Sequence, residues 1–108
     1  MMSLAHALVA AEAKSCLAAL ADTAPTFDAS VAYEHALLYL HAVHSEYGLG
    51  IDFPRETDRR RLRCRAEVAI EALAKHGVDG LSVELLLAML DGAHDLEVGG
   101  GPESAPPG

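Results

Sequence analysis

Six arginines within eleven residues are the most concentrated source of chemistry in this sequence: Arg55, Arg59, Arg60, Arg61, Arg63 and Arg65. Only Glu56 and Asp58 offset them locally, whereas the remainder of the chain carries fourteen carboxylates against Lys14 and Lys75. The planar guanidinium group binds carboxylates and phosphates through two parallel hydrogen bonds. The cluster therefore predicts either ion pairing with the acidic remainder of the chain or a surface that meets an anionic partner.

We pair three of these arginines with a carboxylate three or four residues away, the spacing of neighbours on a helix surface; the pairs are Glu56–Arg60, Asp58–Arg61 and Arg63–Glu67. The other three, Arg55, Arg59 and Arg65, are assigned no such pair, and cations near a helix start oppose the helix dipole. Their carboxylates must come from another part of this chain, from a second copy or from another protein. We predict these three as partner-binding residues, with pairing inside the chain as the alternative.

Histidines on the second predicted helix are weak candidates for a metal site. His41 and His44 lie three residues apart, and Glu34 lies two turns before His41 on the same helix edge. The chain has neither a Glu-x-x-His motif of di-iron bundles nor the His-Glu-x-x-His motif of zinc proteases. His44 projects with Leu37 and Leu40, which favours a hydrogen-bonded histidine at the core edge over a metal ligand, and no cofactor is expected.

The two cysteines could supply thiol chemistry. Cys64 lies among the arginines, whose positive charge favours the reactive thiolate form, and is a candidate redox thiol. It projects away from the apolar stripe of its helix and is expected to be exposed. Cys16 and Cys64 are too few for a disulfide scaffold and do not form a Cys-x-x-Cys motif, so we expect free thiols, with a single bridge as the alternative. No base for Cys64 and no Gly-x-Ser-x-Gly motif is evident.

Four helices are predicted to position these residues, at approximately 4–21, 30–47, 57–76 and 83–90. The third has the clearest amphipathic stripe, formed by Leu62, Ala66, Ala69, Ile70 and Leu73. The fourth is apolar on nearly every side, so its own domain or a partner must bury it. A fifth short turn at 93–97 fits the sequence. The connections look short, which favours a single four-helix bundle with up-down topology.

Composition supports an all-α protein with one domain. The chain has 108 residues, of which 51% are apolar and 5% are aromatic, so alanine-rich helix packing is favoured over a β-sandwich. Residues 1–98 are predicted to form the bundle, and the glycine- and proline-rich residues 99–108 a disordered tail. The apolar stretch 1–21 contains Glu12 and Lys14 and has no basic start, which predicts a helix of a cytoplasmic protein with no membrane association.

The predicted function is that of a non-enzymatic protein-binding module, an adaptor, inhibitor, chaperone or immunity-type regulator that forms a homodimer. The net charge of −8 argues against direct nucleic-acid binding, and no small-molecule substrate is evident. Two alternatives remain: a metal- or thiol-dependent enzyme or sensor using His41, His44, Glu34 or Cys64, and an acidic inhibitor that occupies a nucleic-acid-binding surface of its target.

Overall fold

The computed structural model describes residues 4–43 and 55–99, and within them the chain forms four α-helices with no strand. The helices are α1 (Leu4–Asp22), α2 (Phe27–Val43), α3 (Arg59–Lys75) and α4 (Gly80–Gly99). The all-α prediction of a four-helix bundle is therefore confirmed. The predicted tail beyond Gly99 and the predicted end of α2 at Tyr47 lie outside the described residues.

Helix starts differ from the predicted ones and follow from the side chains that cap them. Asp58 caps α3 by accepting a 2.9 Å hydrogen bond from the Arg60 amide. Thr26 caps α2 by accepting a 3.1 Å hydrogen bond from the Ala29 amide, and α2 begins at Phe27, before its predicted start near residue 30. At α4, Asp79 accepts from the Ser82 amide at 3.2 Å, and the helix begins at Gly80, before its predicted start at residue 83.

The end of α3 also follows from local backbone bonding. After α3, Gly77 has φ +96°, and the Val78 amide donates to the Leu73 carbonyl at 3.1 Å, which is the hydrogen bond of a Schellman motif. This tight turn leads directly into α4. The predicted fifth turn at 93–97 is not separate, because α4 continues without a break to Gly99.

The helices are arranged in the order α1, α2, α4, α3 around the bundle, and within the described residues the backbone of α1 is not close to that of α4, nor the backbone of α2 to that of α3. Neighbouring helices are antiparallel, because the start of one lies beside the end of the next. The ring of His6, near the start of α1, stacks on that of His76, just after α3, with 5.1 Å between ring centroids. The Tyr39 hydroxyl, near the end of α2, lies 3.5 Å from Ser82 Oγ, near the start of α4. Consequently α2 and α3 are parallel and diagonal to each other.

The predicted up-down topology is therefore wrong, since the directions are up, down, down, up. It rested on short connections, but α2 ends at Val43 and α3 begins at Arg59 at opposite ends of the bundle. Nothing forced α3 to pack beside α2.

The core is built from leucines and small residues. The largest fully buried side chains are Tyr33, Leu17, Leu20, Leu40, Ile70, Leu73, Leu86, Leu90 and Cys16. Buried alanines lie on all four helices and allow their backbones to approach closely. All five residues of the predicted α3 stripe are buried, as expected. On α1, Ala13, Cys16 and Leu20 are buried, whereas Leu4 and Leu8 are exposed.

Helix α1 also has the length and apolar composition of a membrane span. Among the described residues it alone meets that criterion, with 19 residues and a mean hydropathy of 1.4, although Glu12 and Lys14 interrupt it. Core helices of soluble proteins meet the same criterion, and 44% of this window is buried inside the bundle. Ala13, Cys16 and Leu17 of α1 are fully buried, which agrees with its prediction as a bundle helix.

Candidate functional site

Arg59 joins all four helices at one end of the bundle. Its Nε donates to Glu97 Oε1 at 3.3 Å, and its Nη2 donates to Glu97 Oε2 and, at 3.1 Å, to the Leu20 carbonyl of α1. Its Nη1 donates to Thr23 Oγ1. The guanidinium lies 5.6 Å from the centroid of the Tyr33 ring on α2, within cation–π range. We call these five residues the Arg59 cluster.

Glu97 is the acceptor that holds the Arg59 cluster together. The Tyr33 hydroxyl donates to Glu97 Oε2, so both carboxylate oxygens have donors. The Tyr33 side chain is fully buried, and only 10% of the Glu97 side chain is exposed. The cation also lies at the carboxyl ends of α1 and α4, where the helix dipole stabilises positive charge. Arg59 therefore links the four helices at this end of the bundle.

The ionisation of the cluster reflects this bonding. Burial would raise the pKa of Glu97, but the hydrogen bonds from Arg59 and Tyr33 outweigh it and hold that pKa below its ordinary value. Burial, followed by the hydrogen bond to Glu97, raises the pKa of Tyr33 well above its ordinary value. Burial lowers the pKa of Arg59, but the Glu97 carboxylate more than compensates. The folded protein thus favours a charged ion pair beside a neutral phenol.

Arg65 also finds its carboxylate within the chain. Its Nε and Nη2 donate to the two oxygens of Glu12 on α1, at 2.7 and 3.0 Å. The hydrogen bond to Glu12 raises the pKa of Arg65. Arg55 is exposed and has no ion pair among the described residues. The question of where Arg59 and Arg65 find carboxylates is thereby answered, and the partner-binding role of all three arginines stays a prediction.

The predicted pairs within α3 form only in part. Arg61 Nε lies 4.0 Å from Asp58 Oδ2, and Arg61 Nη1 lies 4.0 Å from Glu56 Oε1. The Arg61 side chain is mostly exposed. The predicted Glu56–Arg60 and Arg63–Glu67 pairs are absent from the described residues. Glu56 precedes the helix and so does not take the helical position that its spacing to Arg60 assumed.

Arg60 and Arg63 instead line a cavity of about 260 Å³ beside the Arg59 cluster. We call this cavity the basic cleft; its walls are Tyr33, Arg59, Arg60, Arg63, His94 and Glu97. It brings together three helices, α2, α3 and α4. Sequence reasoning missed Tyr33, His94 and Glu97 here, because the predicted α4 was too short and nothing local links these positions to the arginines.

A second concave surface lies between α1 and α3. We call it the α1/α3 groove; it has a volume of about 440 Å³ and is lined by Leu8, Val9, Glu12, Cys64, Arg65, Val68, Ala69 and Ala72. Leu8 is 52% exposed and Val68 is 65% exposed, although both are large and apolar. The Glu12–Arg65 ion pair is part of this lining. The groove is therefore apolar with one pair of opposite charges.

The two thiols differ in their surroundings. Cys64 is exposed, as its helical position predicted, and both cysteines are free. Cys16 is buried and its Sγ lies 3.8 Å from Glu12 Oε2; burial, and then the Glu12 charge, raise its pKa to about 11. Cys64 lines the α1/α3 groove without a histidine in that lining. The role of Cys64 as a redox thiol stays a prediction.

The candidate metal ligands are not brought together in the part of the chain that the structure describes. Within it, no three His, Cys, Asp or Glu side chains are placed to hold a metal ion. Glu34 is exposed and His41 is partly buried; burial and the Lys14 charge lower the pKa of His41. His44 lies outside the described residues.

Comparison with models of protein families, with curated proteins and with solved structures finds no match to this chain. Of the two concave surfaces, the α1/α3 groove offers apolar area, and the basic cleft is lined by arginine side chains.

Proposed function

We propose that this chain is a non-enzymatic, cytoplasmic protein-binding module that forms a homodimer through the α1/α3 groove. The observation that carries the proposal is the exposure of Leu8 and Val68 on the two sides of an apolar groove of about 440 Å³. Continuous apolar surface of this kind costs free energy in water and typically marks an interaction surface. A dimer of this kind fits a regulator or adaptor that acts by docking.

A second copy of the chain fits the groove because the groove carries no net charge. Its one carboxylate, Glu12, pairs with its one guanidinium, Arg65, within an apolar lining. A twofold axis presents the same patch from both copies, so their apolar side chains can pack together without charge repulsion. A uniformly charged patch would repel its own copy.

Protein binding is favoured over thiol catalysis at this surface. The groove holds an exposed thiol, Cys64, but its lining has no histidine to act as a base. Its charged groups, Glu12 and Arg65, neutralise each other at 2.7 Å. What remains available to a partner is apolar area.

Sedimentation velocity of the wild-type chain and of Val68→Glu tests this proposal. We expect the wild type to sediment at twice the monomer mass of 11.4 kDa at micromolar concentration. A carboxylate buried in the contact carries a large desolvation cost, so V68E should be a monomer. Val98→Glu is the matched control, because Val98 is 69% exposed on α4, away from the groove, and this variant should remain a dimer.

Circular dichroism must show the same helicity for both variants, which the exposure of Val68 and Val98 leads us to expect. A wild-type protein that stays monomeric at high concentration contradicts the proposal. So does dissociation of the V98E dimer to the same extent as V68E.

A further inference from the structure

The basic cleft contains positive charge that the described part of the fold leaves uncompensated. Glu97 is its one carboxylate, and both oxygens of that group are bonded to Arg59 and Tyr33. Arg59 and Glu97 thus neutralise each other. The guanidiniums of Arg60 and Arg63 have no ion pair among the described residues, and they line the same cavity.

This placement is unusual for so acidic a chain. The net charge is −8, yet two guanidiniums one helical turn apart face one cavity, while the neighbouring Arg61 pairs with Asp58 and Glu56 instead. Like charges lining one concave surface repel each other and concentrate anions there. An anion in the cleft would remove that repulsion.

The geometry points to the phosphate group of a small molecule as the ligand of the basic cleft, and we propose that Arg60 and Arg63 bind it with His94. The two guanidiniums come from α3, and the His94 imidazole comes from α4, so donors surround the cavity on two sides. A tetrahedral dianion has oxygens for donors on several sides and charge for two guanidiniums. A planar carboxylate monoanion would satisfy only one of them.

Cavity size limits the ligand to a small one. A volume of about 260 Å³ is below the usual range of pockets for drug-sized molecules. Inorganic phosphate and a small phosphate monoester share the chemistry that the cleft recognises. The Tyr33 hydroxyl donates to Glu97, so specificity for the phosphate group rests on Arg60, Arg63 and His94.

NMR titration of the ¹⁵N-labelled chain at constant ionic strength tests the proposal with three probes: inorganic phosphate, ethyl phosphate and acetate. We expect saturable shifts of the His94 and Arg63 signals with both phosphates. The dissociation constant should rise at least tenfold, on the order of one lost charge-assisted contact, in Arg63→Gln and in Arg60→Gln. Arg61→Gln is the matched control on the same helix and should bind within about twofold of the wild type.

The two phosphates distinguish the source of the ligand. Tighter binding of ethyl phosphate identifies a monoester, and tighter binding of inorganic phosphate identifies the free anion; either result supports the site. Shifts that do not saturate, acetate binding as tight as phosphate binding, or an equal loss in R61Q would overturn it. The arginine side chains are on the surface, so folding of the variants can be verified by their unchanged amide spectra.

Discussion

The Arg59 guanidinium at the first residue of α3 forms a two-point ion pair with the Glu97 carboxylate near the end of α4, across 38 residues of sequence. Tyr33 on α2 donates to the same carboxylate, and the carbonyl of Leu20 on α1 accepts from the same guanidinium. The pair thus connects the last turns of α1 and α4 to the second turn of α2 and the first turn of α3. Because both side chains are largely buried, loss of either partner leaves polar groups without compensation.

Glu97→Gln should lower the free energy of unfolding by about 2 kcal/mol, because it leaves the Arg59 charge without its counterion and weakens the bond from Tyr33. Urea denaturation measures the change. Glu84→Gln, at an exposed position of the same helix, is the control and should change stability by less than about 0.5 kcal/mol. Equal effects of the two substitutions would show that Arg59 does not depend on Glu97.

Acid stability should depend on the same carboxylate. The pKa of Glu97 is lower in the folded than in the unfolded protein, so the ionised carboxylate adds to the free energy of unfolding. This contribution is fully present above the unfolded pKa of about 4.3 and is lost as the pH falls through the folded pKa. The difference in unfolding free energy between wild type and E97Q should therefore shrink between about pH 5 and pH 2. Denaturation curves at successive pH values measure it, and a constant difference would contradict the assignment.

Tyr33 should make the fold sensitive to alkali. The pKa of Tyr33 is higher in the folded than in the unfolded protein, so the neutral phenol adds to the free energy of unfolding. This contribution is fully present below the unfolded pKa of about 10 and is lost as the pH rises from about 10 through the folded pKa. Stability of the wild type should fall more steeply above about pH 10 than that of Tyr33→Phe. Parallel curves for wild type and Y33F would contradict this prediction.

Neighbouring leucines on α4 should differ strongly in their effect on stability. Leu86 is fully buried and Leu85 is 45% exposed, although the sequence around them is apolar on nearly every side. Leu86→Ala should cost about 2–5 kcal/mol through lost burial and a residual cavity. Leu85→Ala should cost less than about 1 kcal/mol. Thermal and urea unfolding measure both, and a larger loss in L85A would mean that α4 is rotated from its described position.

Thiol labelling should separate the two cysteines. Cys64 is exposed, whereas Cys16 is buried and has a pKa raised to about 11, so only Cys64 should react rapidly at neutral pH. Labelling with an aromatic disulfide reagent should give one fast thiol per chain, and Cys64→Ser should abolish it. In Cys16→Ser the fast phase should persist. Two fast thiols in the wild type would contradict the burial of Cys16.

Local chemistry alone was enough to predict the all-α class and the buried face of α3. Apolar residues recurring at helical spacing, from Leu62 to Leu73, determine which side of α3 avoids water regardless of which helix covers it. The exposure of Cys64 followed from the same projection. A local periodicity is readable because it depends only on the geometry of one helix.

The tertiary structure decided how the helices are ordered and which side chains meet. Both α2 and α4 are apolar on many sides, so their patterns did not say that α2 packs on α4 and lies diagonal to α3. That order, together with the continuation of α4 to Gly99, brings Glu97 and Tyr33 to Arg59 and Glu12 to Arg65. The sequence by itself predicted carboxylates for Arg59 and Arg65 from elsewhere, whether in this chain, a second copy or another protein. Only packing between helices could select those carboxylates, because such contacts depend on helix order and rotation, which no local spacing encodes.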